Sequence, residues 1–243
     1  MSQLEERGGA PERKNQTQSK LGLWVQSIFF LCVFIAILFI PAGRLDWLAG
    51  WAFLGLFVLA VGIIAIWARR HDPELMEERQ TASRAENVKR WDRVIMAVYT
   101  VLLLLMLILA GVDAGRLGWS DIPLWLRILG WLGLGVAFGI VWWVMAENTY
   151  LSEMVRIQEE RGHQVVTSGP YQYVRHPMYV GVIIAILSVP LALGSWWALV
   201  PGVLIVFLFI LRTALEDRTL MEELPGYKQY AEQVRYRLAP GIW

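Results

Sequence analysis

Long apolar runs separated by short charged segments set the architecture of this chain. Uncharged stretches at residues 21–40, 47–68, 94–112 and 128–146 each match the roughly 20 residues that carry a helix across a bilayer. A fifth run, 177–211, is too long for one crossing, since at about 1.5 Å per residue it would reach roughly 50 Å against a hydrocarbon core of about 30 Å. Pro190 and the triplet Leu193, Gly194, Ser195 supply a break, so the pattern predicts a tight helical hairpin with two arms of about 17 residues. The predicted fold is an all-α polytopic membrane helical bundle of four full spans plus a C-terminal transmembrane hairpin. It divides the chain into a polar, disordered tail over 1–20, a membrane scaffold over 21–146 and a C-terminal core over 147–243.

Charge gives the bundle a direction. Arg7, Arg13, Lys14 and Lys20 precede the first span, and Arg69, Arg70, Arg79, Arg84, Lys89, Arg90 and Arg93 follow the second. Arg156, Arg161 and Arg175 follow the fourth, and Arg212, Arg218, Lys228, Arg235 and Arg237 follow the hairpin. Only Arg44, Arg116 and Arg127 are left for the other side. The positive-inside bias then places both termini and these basic segments in the cytoplasm, with a bacterial inner membrane or its equivalent as the expected location. The first run is too long for a signal-peptide core and lacks a small-x-small cleavage site, so it reads as a retained anchor.

Composition excludes a soluble domain: 56% of residues are hydrophobic and 18% charged, with a mean hydropathy of +0.46. A net charge of +1 offers no footprint for nucleic acid. Cys32 sits alone in an apolar run, which argues against an intrachain disulfide or a Cys metal site, and His71, His163 and His176 lack metal-ligand spacing. His71 reads as a solvated loop residue. Trp47, Trp51, Trp67, Trp91, Trp119 and Trp125 lie near span ends and read as interfacial anchors. Gly130, Gly133, Gly135 and Gly139 follow no strand, so close helix packing is expected rather than a nucleotide loop.

Polar and aromatic residues concentrate between Glu153 and Gly181, just before the last apolar run. Pro177 suits the first turn of a helix, and with His176 as its cap the N–H groups around Met178 and Tyr179 would offer a positive helix end to an anionic group. The hairpin returns to the same face carrying Arg212, Glu216, Asp217 and Glu223. Arg212, Glu216 and Glu223 would share one side of a continuing helix, where acidic groups are costly unless exposed, paired or used. A plain surface ion pair between Arg212 and Glu216 is the simplest alternative.

The combination H-x-V-V-T-x-G-P-Y-x-Y-V-R-H-P-M-Y-x-G, then E-D-x-x-L, G-Y-x-x-Y and a closing V-R-Y-R-L-x-P-G-I-W resembles the isoprenylcysteine carboxyl methyltransferase family from Asn148 onward. The first three spans match only in being apolar. The resemblance implies S-adenosylmethionine as methyl donor in a cytoplasmic pocket. His163, Val166, Gly169, Tyr171, Arg175, His176, Pro177 and Tyr179 match one half of that pocket, and Glu216, Asp217, Leu220, Tyr227 and Tyr230 the other. The donor's carboxylate suits Arg175 or the helix N-terminus, and its ammonium suits Glu216. Arg175 and Glu216 are the pair expected to matter most for activity, with Arg175 gripping either donor or acceptor. The implied acceptor is a lipophilic or prenylated substrate entering from the bilayer, most simply a prenylcysteine-like carboxylate, with membrane lipids as surroundings and the oligomeric state open. A phospholipid amine, a thiol, a sterol-reductase-like oxidoreductase using a nicotinamide and a non-enzymatic lipid-binding protein are the alternatives.

Overall fold

The computed structural model describes residues 20–82, 85 and 87–243. Residues 1–19 of the predicted tail over 1–20, and Arg84 of the basic loop, lie outside the described residues. Among these every regular element is helical, as the apolar pattern predicts. The described residues up to Ala36 belong to one compact unit and Ile37–Trp243 to another.

Helix α1 is Lys20–Ala42, α2 is Leu48–His71 and α3 is the short polar Pro73–Thr81. Asp72 starts α3 by accepting the Leu75 N–H at 2.9 Å, with Pro73 in the first turn where its missing donor costs nothing. Helix α4, Arg90–Ala110, widens into a π-helical turn, Gly111–Leu117. Helices α5, Leu124–Glu147, α6, Pro177–Leu193, α7, Leu199–Glu223, and the short α8, Tyr227–Gln233, complete the chain. Among the described residues, four helices are long and apolar enough to cross a membrane: α2, α4 with its π-helical turn, α5 and α7. Their exposed faces are apolar at Ile63, Val101, Leu132 and Phe207, as hydrocarbon requires.

The two arms of the last apolar run differ more than their sequence predicts. Helix α6 has 17 residues, but α7 has 25, because helical hydrogen bonding continues past Leu211, the end of the uncharged run, through a charged segment whose key side chains find partners. Gly194, with φ of 88°, ends α6 in the left-handed conformation that glycine tolerates. Helix α5 makes its broadest contact with α6. A side chain at Gly130 would meet the Ala192 nitrogen at 2.5 Å, and one at Gly133 would strike the Ser188 hydroxyl, whereas Gly135 and Gly139 face open space. The predicted small-residue packing therefore holds for two of the four glycines.

At the face away from the basic segments, the buried Asp113 ties the π-helical turn to the α6–α7 turn. It accepts from the Ser120 N–H at 2.9 Å, the Ser120 hydroxyl at 2.5 Å and the Ser195 hydroxyl at 2.5 Å. Two readings of single residues change here. Trp47 is 7% exposed and packs edge-on against Phe39 at 6.1 Å, so it is core rather than an interfacial anchor. His71 ends α2 instead of lying in a loop, stacked on Trp67 at 5.3 Å.

Candidate functional site

On the basic face, the segment between α5 and α6 folds over the ends of α4, α6 and α7 and encloses a cavity of about 360 Å³. Of the residues that the family resemblance assigns to the pocket, all but Gly169 and Asp217 line it. Gly169 holds φ at 55° where its backbone turns against the side chain of Glu147, and the neighbouring Ser168 hydroxyl donates to that carboxylate at 2.7 Å. Its role is to let the chain pass close to α5.

Asp217 lies behind the cavity wall, 0% exposed, and gathers several groups. Its two oxygens accept Nε and Nη2 of Arg175 at 2.7 and 2.8 Å, Nε of Arg237 at 2.8 Å and the Tyr227 hydroxyl at 3.0 Å, with Nε2 of His176 at 3.2 Å. Nη1 of Arg175 donates to the Val234 and Arg235 carbonyls at 2.7 and 2.8 Å. Four of the five N–H groups of this guanidinium are therefore spent inside the protein. The expected anion-gripping role of Arg175 does not fit that geometry; the side chain binds the C-terminal segment to the start of α6. Backbone bonds reinforce the join, from Arg175 N–H to the Tyr236 carbonyl and from His176 N–H to the Arg237 carbonyl. His176 occupies the position before α6 without a side-chain cap, because its ring is turned towards Asp217.

The second charged pair is built differently. Asp92, in the first turn of α4 and 0% exposed, accepts Nε and Nη2 of Arg212 at 2.7 and 3.1 Å and the Val155 N–H at 2.7 Å. Arg212 Nη2 also donates to the Glu153 carbonyl at 2.7 Å. The guanidinium lies over the rings of Tyr179 at 5.2 Å and Phe209 at 5.9 Å. Nη1 has no hydrogen-bond partner among the described residues, and Arg212 lines the cavity. One turn further along α7, Glu216 accepts the Tyr179 hydroxyl on one oxygen, leaving the other without a protein donor among the described residues. The simple Arg212–Glu216 ion pair is absent among the described residues, since Asp92 takes the guanidinium.

The remaining wall is aromatic and comes from the loop. His163 stacks on Tyr150 at 4.9 Å, and its Nδ1 accepts the Gln158 N–H at 3.4 Å. Burial, helped by the Arg156 and Arg161 cations, lowers the His163 pKa to about 4, so the ring is neutral and suited to that acceptor role. Tyr230 donates to the Tyr171 carbonyl at 2.7 Å, Asn148 donates to the Tyr171 hydroxyl at 2.7 Å, and burial raises the pKa of both phenols. Below the loop, Arg156 grips Glu78 of α3 at 2.5 and 2.9 Å. Burial works against the Glu78 carboxylate, but the guanidinium and the Ser152 hydroxyl hold its pKa below the ordinary value. Sequence reasoning missed Asp92 and Tyr99. An aspartate beside the start of an apolar span was the available signal for the first.

Residues 131–222 match the model of the isoprenylcysteine carboxyl methyltransferase (ICMT) family. This bears out the resemblance read from the sequence, over a stretch that contains both α6 and Glu216. The chain is also similar to the protein-S-isoprenylcysteine O-methyltransferase of Schizosaccharomyces pombe, at 31% identity over 108 residues. That match covers 44% of this chain and 45% of the relative, so the chain spans about half the length of the curated relative it matches. The ICMT match takes in the Arg175–Asp217 junction and Arg212, and leaves Asp92 on α4 outside.

Proposed function

We propose that this chain is an integral membrane methyltransferase that moves a methyl group from S-adenosylmethionine to the carboxylate of a prenylcysteine-like acceptor, with its cavity and both termini on the cytoplasmic side. The observation that carries this reading is that one cavity brings together an unspent carboxylate oxygen on Glu216 and an unspent guanidinium nitrogen on the buried Arg212. The cavity volume lies within the range of small-molecule sites, roughly 300–1,000 Å³. When bound, the donor supplies a sulfonium methyl for in-line displacement at carbon.

The residues divide the work. Tyr150, His163, Val166, Tyr171, Tyr227 and Tyr230, from the loop and α8, form the aromatic and apolar end that suits a nucleoside. Glu216 receives the donor's ammonium, and its free oxygen fits that group. At the other end Met96, Val182 and Phe209, from the membrane helices, suit a hydrocarbon chain arriving from the bilayer. Arg212 sits there with its cation held by Asp92 and offers Nη1 to the acceptor carboxylate. Arg175, first expected to hold donor or acceptor, shapes the wall instead. A carboxylate nucleophile needs no general base, so alignment supplies most of the rate. A cationic amine headgroup would meet a guanidinium, which favours the carboxylate over the phospholipid-amine alternative.

Calorimetry of the purified protein with S-adenosylmethionine and with a nicotinamide dinucleotide separates the enzyme classes. Binding of the first only is expected, and binding of neither returns the chain to lipid binding. Radiolabelled transfer to prenylcysteine, thiol and phospholipid acceptors then tests the acceptor. Label in the thiol or amine fraction alone would overturn the carboxylate assignment.

A further inference from the structure

Helix α4 carries none of the motif residues, yet it contributes Met96 and Tyr99 to the cavity. Tyr99 follows Asp92 by about two helical turns and so lies on the face that grips Arg212. Its ring meets Phe209 edge-on at 5.3 Å. Tyr179 meets the same Phe209 ring at 5.3 Å, and the Arg212 guanidinium lies 5.9 Å from it. Phe209 is the common neighbour that gathers Tyr99, Tyr179 and Arg212 at the helix-lined end.

The hydroxyls of these tyrosines differ. Tyr179 donates to Glu216 and Tyr227 to Asp217, but the Tyr99 hydroxyl has no partner among the described residues. Every fully enclosed side-chain nitrogen or oxygen among those residues is partnered, so the Tyr99 hydroxyl reaches open space, as does Arg212 Nη1. Against a purely hydrocarbon ligand a phenylalanine would fill this position without a hydroxyl to desolvate. The hydroxyl suits a guest with a polar atom at this depth.

We infer that Tyr99 is a specificity-determining residue whose hydroxyl donates a hydrogen bond to the acceptor carboxylate held by Arg212 Nη1. This rests on the carboxylate-methyltransferase reading above. Donors from two different helices fix the plane of a carboxylate as well as its charge, and orientation is what such a transfer needs. A thiolate offers one atom and no plane for two donors to fix, so it gains less from the second.

The test measures, on full-length protein in detergent, the affinities of an N-acyl S-prenylcysteine and of its decarboxylated analogue, together with methyl-ester formation. Their ratio within one preparation is independent of the folded fraction. Wild type prefers the carboxylate, and Y99F lowers that preference about ten-fold, the loss expected for one hydrogen bond to a charged group. Affinity for the decarboxylated analogue stays unchanged. An unaltered ratio in Y99F overturns the Tyr99 assignment alone. A wild type with no carboxylate preference and no ester product overturns the carboxylate reading and Tyr99 with it. Y99L reads the same ratio should Y99F not fold.

Discussion

Asp92 and Asp217 are both buried carboxylates that grip an arginine through Nε and Nη2, and the two arginines end differently. Around Asp217 the Nη1 donors of Arg175 go to main-chain carbonyls and a second arginine closes in, so the assembly is held largely from within. Around Asp92, Arg212 keeps Nη1 free beside a cavity. A buried ion pair whose arginine has spent four of its five N–H groups holds chain segments together; one with a whole nitrogen left over beside a cavity can still bind. The sequence motif highlights the closed pair, while the chemistry proposed here belongs to the open one.

Breaking the closed pair should have the largest effect. Asp217→Asn leaves two guanidiniums without their carboxylate, with an expected loss of about 3–5 kcal/mol, read as a lowered unfolding midpoint in detergent and loss of donor binding. An Asp217→Asn protein that melts like wild type would end the idea that this pair is structural. Next comes Arg212→Lys, which keeps the charge but not the fork. On the proposed function it should cut kcat/KM for a carboxylate acceptor roughly 10- to 100-fold while donor affinity holds; an equal loss of donor affinity would assign Arg212 to the donor instead. Glu216→Gln should weaken S-adenosylmethionine binding about ten-fold with little change in melting, and unchanged binding by calorimetry would remove Glu216 from the donor site.

The smallest effect lies outside both pairs, at His163. The unfolded chain takes up this proton from pH 6.5 downward and the folded chain only near pH 4. The stability it contributes is therefore complete above about pH 6.5 and declines as pH falls towards 4. Melting temperatures should drop more over that window in wild type than in His163→Gln. Parallel curves would move the acid sensitivity of the loop elsewhere.

Much of the site was legible because its residues are close together in the chain. His163 to Tyr179 form one continuous motif, and Glu216, Leu220, Tyr227 and Tyr230 follow at helical and turn spacings. What escaped was contact across the chain. Arg212 and Asp92 lie 120 positions apart, and nothing in either segment alone tells that a basic residue at the end of one apolar helix neutralises an acid at the start of another. Trp47 was misjudged for the same reason: an indole near a span end reads as an anchor until Phe39 is seen packing on it. Gly130 and Gly133 differ from Gly135 and Gly139 only in which side of α5 meets α6.

By itself the sequence determined an all-helical membrane chain, the stretch that carries the ICMT pattern and many of the residues around the cavity, because apolar run length and local motifs act through neighbours in the chain. Only the tertiary structure decided which arginine is spent and which is free. That depends on where distant carboxylates and carbonyls come to rest, and a guanidinium's remaining donors can be counted only once those partners are in place.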